Sequence, residues 1–157
     1  MAGGVTERTR AKGADVELIE AKRRDGVLRA YFVGKDWDEN DEFRLKRDLV
    51  LRSTHLIPDY PYVVEDEWEV VAGATNHGRG DLVFADGRGG LAVVEVKFID
   101  LGRSGHTVRV KRTKSRGLVR EQAISYAAVM ARRYPNAIVR GYSYTNEDAA
   151  PTCETSP

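Results

Sequence analysis

Asp81, Glu95 and Lys97 are the residues of this chain whose types and spacing could do chemistry. Asp81 opens the run Asp81-Leu-Val-Phe84, and thirteen residues separate it from Glu95-Val96-Lys97, which lies in an otherwise apolar run from Leu91 to Phe98. Two carboxylates brought together by neighbouring strands make an oxygen-rich site for a hard divalent cation. Mg²⁺ takes one or two protein carboxylates and completes its shell with water and substrate phosphates. An ammonium two residues beyond Glu95 could hold or deprotonate an attacking water, or offset charge developing on a phosphate. Taken singly, an Asp after Arg79-Gly80 is a turn former, and a Glu-x-Lys in a strand is a solvated pair. Together they interrupt an apolar strand, and burying them is costly unless a cation or substrate neutralises them. The set suits phosphodiester hydrolysis.

These residues need a hairpin to meet. Its arms are Asp81–Phe84 and Leu91–Phe98, joined through Asp86-Gly87-Arg88-Gly89-Gly90. Alternation along the second arm puts Ala92, Val94, Val96 and Phe98 on one face and Leu91, Val93, Glu95 and Lys97 on the other. Upstream, Asp36 to Asn40 is an acidic helix start. Asp41 to Leu56 follows with helical spacing, Leu45, Leu49 and Leu56 on one stripe and Glu42 a turn before Leu45. Pro58 and Pro61 end it, and Tyr62 to Val71 alternates as a half-buried strand, with Tyr62, Val64, Asp66, Trp68 and Val70 on one face. Gly73 to Gly80 then reads as a turn leading into the central hairpin.

Downstream, Asp100 to Lys114 reads as a basic connection with a short ribbon at Thr107 to Lys111. A second helix is expected from about Ser115 to Tyr134, with Leu118, Val119, Gln122, Tyr126, Val129 and Met130 inward and Arg120, Arg132 and Arg133 outward. Ala137 to Tyr144 is a last strand. Val16 to Ala21 and Val27 to Val33 flank Arg24-Asp25-Gly26 and predict an N-terminal β-hairpin. The expected fold class is α/β (α+β), a mixed central sheet flanked by helices. It forms a single domain over 14–145, with the hairpin at 15–34 and the core at 36–144. Residues 1–13 and 146–157 are expected to be disordered.

In these residues the chain resembles the PD-(D/E)xK nuclease superfamily: Gly80-Asp81-Leu-Val-Phe, thirteen residues, then Glu95-Val96-Lys97. The element order resembles that family's restriction-endonuclease-like αβββαβ core. Gln122 and Tyr126, four apart on the inward stripe, are similar to the Gln-x-x-x-Tyr helix motif of the branch with lambda exonuclease and RecB-type nuclease domains. The resemblance implies that Asp81 and Glu95 bind Mg²⁺ or Mn²⁺, joined by the Val96 carbonyl and a first-helix acid. Glu42 is the candidate for that acid, with Glu39 and Asp41 as close rivals. It implies Lys97 as the catalytic lysine, and Gln122 and Tyr126 as support for the site or the nucleic-acid backbone. Gly80 stands where the family's Pro would be, a tolerable departure because that Pro has no chemical role. The literal Pro58-Asp59 pair lies in a turn after a helix and is a decoy.

Composition bounds the rest. The 157 residues, 41% apolar and 31% charged, suit one soluble domain with a net charge of only +1. The charge is regional: Arg103, Arg109, Lys111, Arg112, Lys114, Arg116 and Arg120 fall in a stretch without acids that follows the Glu95 strand. Such a stretch near the site suits phosphate binding by counterion release, with DNA as the default partner and no element for base readout. His55, His77 and His106 have no ligand spacing, although His77 is placed at the mouth of the site. A lone Cys153 favours a reducing compartment. No run approaches membrane-spanning length and no secretory signal core is present, so an intracellular location, cytoplasm or nucleus, is expected. Two rivals to a metal-dependent nuclease remain: a catalytically inactive nucleic-acid-binding module on the same fold, and a small α/β interaction protein.

Overall fold

Gly90 to Val96 is buried at every position, because a strand of Leu, Ala and Val with neighbours on both sides and helices on both faces has no solvent-facing edge. This strand, β3 (Gly90–Lys97), is the middle of a five-stranded sheet in the order β1-β2-β3-β4-β5. A computed structural model describes residues 17–156, apart from the side chains of Thr75, Asn76 and His77. β1 (Tyr62–Val71), β2 (Ala74–Ala85) and β3 form an antiparallel meander. β4 (Ile138–Thr145) pairs with β3 in parallel, and β5 (Thr152–Cys153) returns antiparallel along β4. The parallel step needs a crossover, which a 28-residue helix supplies.

Before the sheet come α1 (Leu18–Gly34), α2 (Asp41–Leu51) and the single turn α3 (Ser53–Leu56); α4 (His106–Arg133) is the crossover. One core lies under α1–α3, where Phe32, Leu49, Val50 and Leu56 meet Leu82, Phe84, Ala92 and Val94. The other lies under α4, where Ala127 and Met130 meet Val64, Trp68, Leu91 and Val93. Each large apolar side chain so removed from water contributes about 1.5–3 kcal/mol. The two sets of β3 residues separate as strand alternation requires. α4 sits so close to β4 that a Cβ on Gly141 would lie 2.4 Å from the Ala123 carbonyl oxygen.

Several expectations need correction. The N-terminal hairpin at 15–34 is instead the helix α1. Asp25-Gly26 makes no turn: Asp25 pairs with Arg29 one helical turn on (2.7 Å) and also accepts from the Val63 N–H (2.9 Å), so it ties the helix to β1. Glu20 pairs with Arg23 and Arg24, three and four residues on along the helix. The apolar residues fall around α1 rather than on one stripe, with Phe32 buried but Ile19 and Val27 exposed, so a period-two reading competed well.

The expected first helix breaks at Arg52 into α2 and α3; Asn40 caps α2 by accepting from the Phe43 N–H at 3.0 Å. The turn expected from Gly73 to Gly80 tightens to Gly73, whose φ of 75° suits glycine, and β2 begins at Ala74. The ribbon expected at Thr107 to Lys111 is the first part of α4, which begins at His106 rather than near Ser115. Leu118 is exposed, and Arg133, itself exposed as expected, lies over the Trp68 ring and donates to the carbonyls of Glu69 and Val70. The tail expected to be disordered carries β5. The expected disorder of residues 1–13 lies outside the described residues. Among the described residues no helix is long and apolar enough to cross a membrane.

Candidate functional site

The regular ladder between β2 and β3 pairs Leu82 with Val94 and stops there. One step further the two acids take its place. Glu95 Oε2 accepts from the Asp81 N–H at 3.0 Å, and Asp81 Oδ2 accepts from the Val96 N–H at 2.8 Å. Each carboxylate thus bonds the other's strand, and the strands part around them as a fork. Glu95 is 2% exposed, and its Oε1 is buried with no hydrogen-bond partner among the described residues. Burial pushes the Glu95 carboxyl far above the usual carboxylate range. The neighbouring charge of Asp81 adds to that rise, while the Asp81 N–H and Lys46 oppose it.

Lys97 and Glu42 meet at the mouth of the fork. The Lys97 Nζ stands 3.8 Å from Glu42 Oε1, and both side chains are 43% exposed. One turn after Glu42 on α2, Lys46 is buried and holds Asp66 Oδ1 at 2.7 Å. The expected face of β1 is split here. A bulge between Val63 and Glu65 brings Asp66 round to α2, and Trp68 still packs under α4. From the α4 side, Tyr126 is half-buried with its hydroxyl 3.1 Å from where a Gly78 Cβ would lie. Burial raises the Tyr126 pKa first, and the charges of Glu95 and Asp81 raise it further. Gln122 is half-buried one turn earlier on α4.

The fork therefore gathers Asp81, Glu95 and Tyr126, with Lys97 and Glu42 paired at its edge. Among the described residues, no three His, Cys, Asp or Glu side chains form a metal-ligating group, so Glu42 does not join the two carboxylates in one cluster. His55 and His106 are exposed on α3 and α4, and the side chain of His77 lies outside the described residues.

Arg103 stays on the connection between β3 and α4, and the other six basic residues lie on α4 itself. Arg109, Lys111, Lys114 and Arg120 are exposed. Arg103 pairs with Asp100 at 3.7 Å, Arg112 donates to the Asp100 carbonyl at 2.6 Å, and Arg116 grips Glu147 through two bonds of 2.7 and 2.8 Å. A groove of about 410 Å³ runs between this part of α4 and β4–β5. It includes Arg116, Arg120, Ser143, Thr145 and Glu154. Ser143 and Thr145 are the register partners of Glu95 and Lys97, so the groove adjoins the fork.

Lys46, Asp66, Trp68 and Ser143 were not singled out from the sequence. Lys46 had a signal, four residues after Glu42 on the same helical stripe; the other three are placed by strand pairing. Comparison with protein-family models, with curated proteins and with solved structures finds no match for this chain.

Proposed function

We propose that this chain is a metal-dependent nuclease of the PD-(D/E)xK kind, hydrolysing phosphodiester bonds of DNA on a restriction-endonuclease-like core. The observation that carries the reading is the Asp81–Glu95 pair at the strand fork, with one Glu95 oxygen buried and unpartnered. A buried acid next to a second acid, with an oxygen left over, fits a hard cation. Asp81 and Glu95 would hold Mg²⁺ or Mn²⁺, with the Val96 carbonyl beside them. The ion would supply charge neutralisation at the phosphate and a more acidic water.

The protein's own groups do the rest. Lys97 leaves Glu42 to meet the phosphate or the attacking water, and Glu42 sets the resting place of that amine. Tyr126 and Gln122 line the side facing α4. The exposed cations Arg109, Lys111, Lys114 and Arg120 draw in the backbone without reading bases. Arg103, Arg112 and Arg116 join them once their present partners are displaced. The lone thiol Cys153 agrees with an intracellular, reducing setting.

The test is incubation of wild type and Asp81→Ala with single-stranded, duplex and branched DNA and with RNA, with and without Mg²⁺. Cleavage by wild type alone, and only with the metal, is expected; metal-independent cleavage or equal activity of the variant refutes the reading. The Glu42–Lys97 contact, which occupies the amine, favours a second reading: a nucleic-acid-binding module on the same fold without activity. It predicts retention of DNA with no Mg²⁺-dependent product.

A further inference from the structure

Trp68 carries a buried polar atom without a partner among the described residues. The residue is 5% exposed, and its indole Nε1 finds no acceptor among the described residues. A buried donor left unpaired is rare and calls for an explanation. The one other buried side-chain atom in that position among the described residues is Glu95 Oε1. One is a donor and the other an acceptor, and both adjoin the Gly80-Asp81 segment. Glu95 bonds the Asp81 N–H, and the Trp68 ring lies against Gly80.

The approach to Gly80 is close enough to dictate the residue there. A Cβ at position 80 would lie 2.1 Å from Trp68 Cε2 and 2.2 Å from Nε1. No side chain fits, which accounts physically for glycine immediately before Asp81. The backbone of β1 is bent to the same end. Glu67 has φ of 48°, and among the described residues no other non-glycine residue has a positive φ. Such an outlier is costly and collects at functional sites. It returns the strand to the face of α4 after Asp66 has turned to α2, and so delivers Trp68 to Gly80. Tyr126 then stands edge-on to the indole at 5.9 Å between centroids, and the Arg133 guanidinium covers it at 5.3 Å. The ring is fixed on three sides and its N–H is unspent.

We propose that the indole N–H of Trp68 is a substrate-binding donor, taking an oxygen of the phosphodiester beside Asp81 and Glu95, and that Gly80 is there to admit it. An anionic oxygen is the chemistry that satisfies a lone N–H next to a cation-binding acid pair. The proposal rests on the hydrolase reading for its ligand, but its test does not depend on turnover.

The chain has two tryptophans, and Trp37 is exposed on a different segment. A Trp37→Phe protein therefore has Trp68 as its single indole. Its ¹⁵N–¹H indole resonance is followed while a short duplex oligonucleotide with a single-stranded end is added in Ca²⁺, which is to hold the DNA without rapid cleavage. The resonance should shift along the same curve as binding measured by anisotropy of the labelled DNA. Trp68→Phe keeps a ring and loses the donor; it should bind this DNA about ten- to one-hundred-fold more weakly. If Trp68→Phe does not fold, the resonance decides alone. An indole signal that stays in place, whether the DNA binds or not, overturns the proposal. A shift with no Mg²⁺-dependent cleavage by wild type keeps the donor and sinks the hydrolase reading; cleavage without a shift does the reverse.

Discussion

Lys97 and Glu42 face each other across β3 and α2, with Nζ and Oε1 3.8 Å apart and both side chains open to water. The contact joins the lysine of the Glu-x-Lys run to the acid expected from the first helix. An ion pair this exposed contributes little to stability, about 0–1 kcal/mol. Lys97→Ala should therefore lower cleavage by at least about a hundredfold, the lower range for a general acid–base group, while urea unfolding moves by less than about 1 kcal/mol. Glu42→Gln should leave stability equally unmoved. A loss of activity in Lys97→Ala matched by a loss of fold would remove its chemical role.

Glu95 makes the metal-free protein sensitive to pH. Its carboxyl is raised in the folded state by burial, then by Asp81, with Lys46 opposing from α2. The folded protein thus keeps a proton that the unfolded chain releases above the ordinary carboxylate value. Its contribution to stability is fully present below that unfolded value and falls as the pH rises toward the folded one. Glu95→Gln has no proton to lose there. Without metal it should gain on wild type in urea melts between about pH 5 and about pH 8. A difference that does not vary with pH would contradict this.

Lys46 and Asp66 form the buried ion pair beside the fork, at 2.7 Å. Removing one partner leaves a charge out of water without compensation, a loss on the order of 3 kcal/mol. Lys46→Met should be destabilised by about that much, and Lys46→Met with Asp66→Leu should recover most of it. Chemical denaturation of the singles and the double closes the cycle, and additive losses would show that the pair is not coupled.

The exposed and tethered arginines should separate in a salt titration. Arg120→Ala is expected to reduce the slope of log affinity against log salt by about one for a phosphate contact. Arg116 is held by Glu147, so Arg116→Ala should change the slope less, and Glu147→Gln should tighten DNA binding by freeing the guanidinium. Equal slopes for both arginine variants would place the nucleic acid elsewhere.

The sequence by itself determined what neighbouring residues decide among themselves. Period-two alternation placed Val94 and Glu95 on opposite faces of β3, and turn residues at 86–90 joined its hairpin. Helical spacing put Gln122 and Tyr126 a turn apart. These are properties of backbone geometry over a few residues. Only the tertiary structure decided α1, whose period-two apolar runs fold as a helix because Asp25 and Phe32 find partners on β1 and in the core. It alone brought Lys46 to Asp66, Trp68 to Gly80, and β5 to β4. Those relationships join side chains or strands from separate elements, and a bulge or a single positive φ moves them from one face to the other. Local spacing carries no record of such a switch, so the acids could be read from the chain and their surroundings could not.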